Sequence, residues 1–552
     1  GVDYDNYNEI EYYNTNTLIG STYNGEAKNN IIQQTDWVNE QTLAYKTNFS
    51  GRDHFGILVG NTLMGNNFAA DYTAGTGFPS NAYTLISAAS NQVASQDATK
   101  NTLSSFFSRV NYDFDEKYYI EATVRADASS KFGAANRWGY FPAIGGAWRI
   151  KDENFLKQVS EISNLKLRAS YGLTGNQNGI NNYASQGLWT GSASYPNNPT
   201  GGDQPGTQPL QLANPNLKWE STAQADIGVD LGLLKGRIEV VADLYSKHTR
   251  NVLLNLPVPS STGFTTQFAN AAEISNKGYE IGINTINVET KNFKWVTNFN
   301  ISGNFNKILR LATPISFYSR NWLIDAQGHS MYSFWLYKQL YVDPATGNSV
   351  YQTADGKTSY SASYNPNITL TTADRVIMGN AMPDFFGGIT NNFSYKGFDL
   401  AVFFSYQYGD DILNYNRFLG EKQGQAGYDG RFVTESQMAR WTHPGQITSV
   451  PRVTSVGNNY LIEQNSRFLE NGSFLRLKTL TFGYSFDKLS ERLKVEKIRV
   501  YVLGSNLWLL TKYTGPDPEI SVNQGNGGNA PGLDQGTPPQ PRSLQVGINI
   551  IL

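Results

Sequence analysis

Along most of this chain apolar and polar residues alternate with period two, the mark of a β-strand whose two faces meet different surroundings. In Ile120-Glu121-Ala122-Thr123-Val124-Arg125-Ala126-Asp127 every even position is apolar and every odd one polar. The same alternation runs through Leu165 to Tyr171, Ala225 to Leu231, Arg237 to Leu244, Tyr279 to Asn284 and Ser543 to Leu552. Helical spacing holds only in short pieces, near Glu153 to Ile162 and Leu489 to Leu493. The pattern predicts an all-β chain of sixteen strands, one near Asn6 to Tyr13 and fifteen from about Asp36 to the C-terminus.

The links between these strands alternate in length. Short links fall at residues 50–53, 115–117, 151–164, 234–236, 290–292, 396–397 and 487–496. Long ones fall between them, at 65–101, 127–137, 173–218, 246–277, 306–384, 408–473 and 511–542. A soluble sandwich has no reason to keep every second link short. A transmembrane antiparallel β-barrel does, with short turns on the periplasmic side, long loops outside, and strands apolar toward lipid and polar toward the lumen. Aromatic residues gather at strand ends, as in Tyr118-Tyr119, Trp138 with Tyr140-Phe141, and Trp508 with Tyr513. Such rings suit a membrane interface, apolar at one end and wet at the other. The alternation then predicts that Ala122, Val124, Leu167, Ile227, Val240 and Ile548 point toward lipid.

Composition narrows the classes further. Aromatic residues make up 13% of the 552 and charged residues only 16%, with 44 Lys+Arg against 46 Asp+Glu and a formal charge of -2. A balance so near zero argues against a nucleic-acid binder, whose domain is usually basic. The longest apolar run, Leu400 to Phe404, falls far short of the roughly 20 residues of a membrane helix. Cysteine is absent, which removes disulfides, thiol nucleophiles and Cys-metal sites. The start, Gly1-Val2-Asp3-Tyr4, has neither the initiator Met nor a signal peptide's regions, so the chain is expected to be a processed product or a fragment.

Several stretches resemble one family. Gly379-Asn380-Ala381-Met382-Pro383, followed by Phe393 to Leu400, is similar to the late barrel of the SusC-like TonB-dependent transporters of the Bacteroidota. So are Asn111 to Tyr118 through Trp138-Gly139-Tyr140-Phe141-Pro142, Asn214-Pro215-Asn216-Leu217-Lys218-Trp219-Glu220, and Gly472 to Lys478. Asn506-Leu507-Trp508 through Lys512-Tyr513-Thr514-Gly515-Pro516-Asp517-Pro518-Glu519 also matches. Together they span nearly the whole chain in family order. The last residues look like the family's terminal strand, although Leu552 stands where members usually carry an aromatic residue. The resemblance implies a barrel of about twenty-two strands with a plug inside it. The sixteen strands expected here would then be its C-terminal portion, with plug, TonB-binding segment and first strands absent from this chain. Β-strand Asn6 to Tyr13 and the strand ending at Leu552 would pair with those missing strands, and not with each other.

Sites are harder to single out. His54, His248, His329 and His443 have no ligand spacing, and neither Asp410-Asp411 nor Asp343 to Asn348 fits a calcium loop, so no metal or cofactor is expected. Gly525 to Gly528 is expected to be a loop with no phosphate-binding context. No nucleophile elbow or acid–base pair stands out, and no enzyme activity is expected. Trp189, Tyr195, Tyr318, Trp322 and Trp335 fall in long loops, where rings stack on sugars or pack on peptides. The plainer reading is loop packing, favoured for any one of them.

The resemblance implies import of a nutrient oligomer, glycan or peptide, across the outer membrane. Its implied partners are a SusD-like surface lipoprotein as lid, the TonB complex, the lipid bilayer, and a dimer of transporter–lipoprotein pairs. Two alternatives stay open: a passive porin of sixteen strands, and a surface β-protein that binds glycans.

Overall fold

A computed structural model of the chain describes every residue except 197–202, 317–321, 360–369, 423–432, 454–461, 463, 487–489, 491, 494, 521, 525–527 and 552. Sixteen strands form one sheet. They are β1 (Val2–Tyr13), β2 (Glu26–Asn48), β3 (Asp53–Thr76), β4 (Asn91–Phe114), β5 (Tyr118–Ser129) and β6 (Trp138–Arg149). Next come β7 (Ile162–Asn176), β8 (Glu220–Leu233), β9 (Ile238–Pro257), β10 (Thr266–Glu289) and β11 (Phe293–Leu311). The last are β12 (Phe385–Tyr395), β13 (Phe398–Tyr408), β14 (Phe474–Ser485), β15 (Lys497–Thr511) and β16 (Ser543–Ile551). Their order in the sheet is their order in the chain. The ladder neighbour of β1 is β2, and that of β16 is β15, so the strand order has two ends.

The expected alternation of short and long links holds, but the strands run further into the long ones. Β3 and β4 pair without interruption from Asp53↔Phe114 to Thr76↔Asn91, which cuts the link expected over 65–101 to 77–90. Likewise 246–277 shrinks to 258–265, 127–137 to 130–137, and β2 starts at Glu26, well before Asp36. The reason is physical. Apolar alternation is needed only where one face meets lipid, over about 9–11 residues. Beyond that depth both faces meet water, and ladder hydrogen bonds alone extend the hairpin. The piece near Glu153 to Ile162 is a turn and not a helix. Lys151 Nζ donates to the carbonyls of Leu156 (3.0 Å) and Val159 (2.7 Å) there, and β7 begins at Ile162. The other helical piece, the stretch Gly525 to Gly528 and Leu552 lie wholly or partly outside the described residues. Two short helices, Leu18–Tyr23 and Tyr415–Glu421, were not expected. Among the described residues no helix is long and apolar enough to cross a membrane, which says nothing of strands.

Chain contacts separate two units. One comprises residues 1–148, 169–225 and 248–273, the other 149–168, 226–247 and 274–552. In the first, Arg125 of β5 donates to Asp127 (2.7 Å) and Ser105 (2.8 Å), which fixes one polar face, so Ala122 and Val124 take the opposite one. In the second, Arg168 reaches Asp230 and Asp243, each at 2.9 Å. Alternation then puts Leu167, Ile227 and Val240 on the face away from that cluster. At the C-terminal end Arg499 holds Asp399, so their face is polar. Its reverse carries Val500↔Ile548, Val502↔Val546 and Phe398↔Tyr484. These registers agree with the lipid-facing set read from the sequence. Gly547 serves a close approach on the polar face, because a Cβ there would meet the Tyr501 ring at 2.4 Å.

Candidate functional site

The long links of the second unit fold into a structure of their own. Residues Ser333–Tyr337 pair with Leu323–Ile324 and with Arg375–Asn380. Asp411–Asn414 pairs antiparallel with Leu469–Asn471 and parallel with Leu533–Asp534. Between these small sheets lies an apolar core of Trp322, Phe334, Leu336, Tyr415, Phe418 and Phe468 among others, each no more than 2% exposed. Helix Tyr415–Glu421 is started by Asn414, whose side chain accepts from Arg417 N at 3.0 Å.

At the end of that helix Glu421 is fully buried. Its carboxylate accepts from Arg417 Nε (2.7 Å), Arg467 Nε (2.8 Å) and Ser436 Oγ (2.8 Å), while Arg417 also reaches Glu470 at 3.1 Å. Burial pushes the Glu421 carboxyl upward, but Arg467 and Arg417 outweigh it and hold the group below the usual range. Sequence reading missed this cluster, although Arg417 and Glu421 stand four apart, the spacing of neighbours on a helix. Beside it opens a cleft of about 620 Å³ lined by Asn414, Asn416, Arg417, Glu435, Thr514 and Gly515. Arg417 is tied to Glu421 and Glu470, Asn414 and Thr514 to Glu470, and Asn416 to Asp534, so the charged group that the cleft presents is the exposed carboxylate of Glu435. Such a lining suits an amine-bearing solute.

The aromatic residues singled out from the sequence fall in different settings. Trp322 is 2% exposed, with its ring 4.8 Å from that of Tyr415, so it packs within the loop core. Trp335 donates its backbone N–H to the Trp322 carbonyl at 2.8 Å, and its half-buried ring lies 4.8 Å from the Arg375 guanidinium. Trp189 and Tyr195 stand in a hairpin of the first unit, Leu188–Pro196 with Asp203–Gln211, and are 67% and 53% exposed. Tyr318 lies outside the described residues. The structure thus joins Trp322 and Trp335, and places Trp189 and Tyr195 on a separate, solvent-facing ribbon.

In the first unit, Asn214 to Glu220 anchors the link before β8. Leu217 and Trp219 are buried with Phe132 and Phe141, and Trp219 Nε1 donates to the Arg137 carbonyl at 2.8 Å. Asn214 Nδ2 donates to the Phe268 carbonyl at 2.8 Å, and Glu220 accepts from Asn176 at 3.0 Å and from Leu253 N at 3.1 Å. Among the described residues no three His, Cys, Asp or Glu side chains form a metal-binding group. Asp343 caps its own turn, accepting from Ala345 N (2.9 Å) and Thr346 Oγ1 (2.6 Å), and Asp411 accepts from Asn380 N at 3.0 Å.

A profile of the family described as TonB dependent receptor-like, beta-barrel matches residues 1–372. The chain belongs to the TonB-dependent receptors. TonB-dependent receptor P39 of Formosa agariphila is 33% identical over 498 residues, covering 82% of this chain and 46% of that protein. TonB-dependent receptor SusC of Bacteroides thetaiotaomicron is 31% identical over 471 residues, covering 82% of this chain and 44% of that one. Among solved structures, the RagAB peptide transporter superposes with a TM-score of 0.83 at 26% identity, covering 100% of this chain and 59% of its counterpart. The chain therefore spans about half the length of the curated relatives it matches. Its place as a TonB-dependent receptor is the outer membrane. Two of the stretches that suggested this family meet directly: Arg476 pairs with Asp517 and, at 2.7 Å, with Glu519, which also takes Lys478 at 3.0 Å.

Proposed function

We propose that this receptor imports a nutrient oligomer, a glycan or a peptide, by TonB-dependent transport, and that the chain is the C-terminal part of a plugged barrel of about twenty-two strands. The observation that carries the reading is the two-ended strand order in a chain that aligns with about half of its relatives. A passive porin of sixteen strands needs a closed ladder, because an unpaired edge in hydrocarbon costs several kcal/mol per backbone group. Strands supplied by a longer protein would pair both ends.

The long loops are the surface on which a SusD-like lipoprotein would seat as a lid. Trp189 and Tyr195 offer exposed rings there, and the cleft beside Glu435 offers polar contacts. Conformational work would come from the TonB complex, so the barrel binds and protects its cargo and performs no bond-breaking step. Pairs of transporter and lipoprotein would further associate as dimers.

The test uses the complete receptor in its own cell. Uptake of a labelled oligosaccharide or oligopeptide pool should stop when TonB is deleted, and crosslinkers placed in 177–219 and 409–473 should capture a surface lipoprotein. Uptake that persists without TonB would favour the porin. Crosslinks confined to the short turns would reverse the proposed orientation.

A further inference from the structure

The short turns at the other end of the second unit carry an unexpected concentration of cations. Turn 290–292 and turn 396–397 lie side by side, since Lys396 N donates to the Asn292 carbonyl at 3.3 Å and Ser485 N to the Gly397 carbonyl at 2.9 Å. Lys396 and Gly397 both have positive φ, 47° and 90°, the mirror-image turn that suits the twist of a two-residue hairpin. Lysine is an uncommon residue for that conformation, where Asn or Gly would be unstrained. Between the turns and the start of β15 lies an open cavity of about 330 Å³ whose lining includes the exposed Lys291, Lys294, Lys396 and Lys497, with Ser394 and Ser485, and the Lys396 ammonium stands 5.3 Å from the Tyr395 ring beside it.

The nearby acids are already engaged. Asp399, the one carboxylate of the lining, is held by Arg499 Nε at 2.8 Å, and Glu289 is held by Lys294 at 2.7 Å. Among the described residues, Lys291, Lys396 and Lys497 have no carboxylate within ion-pair distance. At other short turns several cations are tied up, although Lys157 and Lys235 have no carboxylate within ion-pair distance among the described residues. Arg52 and Lys117 share Asp115, and Lys151 and Arg237 cap backbone carbonyls. Three lysines without a carboxylate partner, drawn from three separate elements to one opening, make a local excess of positive charge that an anion would neutralise.

We infer that this cavity is a binding site for a phosphate-class oxyanion, with Lys291, Lys396 and Lys497 as its principal donors. Lysine suits such a ligand as a compact charge on a flexible stem. The ligand can come from two sources, the headgroup of an anionic phospholipid or free phosphate. The first fits the depth of the site, because Tyr395 and Phe398 on the same strand ends are exposed rings of the kind that mark a membrane interface. The inference relies on the outer-membrane location and not on the nature of the imported cargo.

The complete receptor, delipidated in detergent, is offered phosphatidylglycerol, phosphatidylethanolamine or radiolabelled inorganic phosphate. Bound lipid is counted by native mass spectrometry and bound phosphate by equilibrium dialysis. Retention of phosphatidylglycerol over phosphatidylethanolamine, reduced about tenfold or more in the K291Q/K396Q/K497Q variant but not in K235Q at another short turn, establishes the lipid source. Saturable binding of inorganic phosphate that the triple variant loses establishes the free anion. Heat-modifiable migration on gels confirms that each variant is folded. Equal retention of all three probes, or a folded triple variant that binds as the parent does, overturns the site.

Discussion

Strand β16 and the core of the second unit's long loops place the same kinds of residue in opposite circumstances. Leu544, Val546 and Ile548 of β16 are 72%, 71% and 64% exposed, whereas Phe418 and Phe468 of the loop core are fully buried. The strand resolves this exposure by meeting lipid on one face, and the ladder with β15 satisfies one edge of its backbone. The loop core instead excludes water as a soluble domain does, with rings packed on rings and charges paired beneath them. One chain therefore carries two kinds of stability, one dependent on the bilayer and one independent of it. The comparison can be broken from either side.

The largest effect is expected in the loop core. Glu421→Ala leaves the buried guanidinium of Arg467 without its carboxylate, and losing one partner of a buried pair costs about 3–5 kcal/mol. Protection of amides around Phe468 in hydrogen exchange should collapse while the ladder of β14 to β16 keeps its protection. Acid should act in the same direction. The Glu421 carboxyl is held low in the folded state, so the stability it contributes is present above the ordinary Glu range, near pH 4.3, and is lost as pH falls through the depressed value. Loop protection that is unchanged in the variant and in acid would mean that the cluster holds nothing together.

Next in size is an insertion of charge on the lipid side. Val240→Arg places a cation on the face opposite the Arg168–Asp230–Asp243 cluster, where the bilayer midplane costs about 2–4 kcal/mol. Glu239→Arg, one residue earlier and on the other face, should cost far less. Folding of both in lipid vesicles measures the difference. Equal costs would remove the distinction between the faces, and with it the reason for treating strands and loops as different solvents.

The same contrast explains what the sequence disclosed. Period two survives wherever one face meets lipid, so β5, β8 and β16 were legible from residues such as Val124, Ile227 and Ile548. It fades where a hairpin leaves the bilayer, which is why Gly65 to Thr76 of β3 read as loop in the sequence. The loop core has no period at all. Trp322 and Trp335 are thirteen positions apart and neighbours in space only through a ladder between short segments, which no local pattern encodes. The Arg476–Asp517 pair shows the reverse case, in which stretches recognised separately by resemblance turn out to be each other's partners.

The smallest expected effect on stability is the most informative about use. Trp189 and Trp322 are both tryptophans of long links, one 67% and the other 2% exposed. Truncating Trp322 to Ala empties space beside Tyr415 and should cost about 3–5 kcal/mol, as for other buried aromatics. Trp189→Ala touches no core, so its cost should stay within about 0.5 kcal/mol. If the exposed ring contacts cargo or lid, that variant should be folded, abundant in the outer membrane and slower at uptake, with the loss appearing as a higher half-saturating concentration at unchanged maximal rate. Tyr195→Ala on the same hairpin should behave alike. Uptake indistinguishable from the parent in both variants would reduce the hairpin to scaffold and leave the polar cleft beside Glu435 as the place to look for cargo.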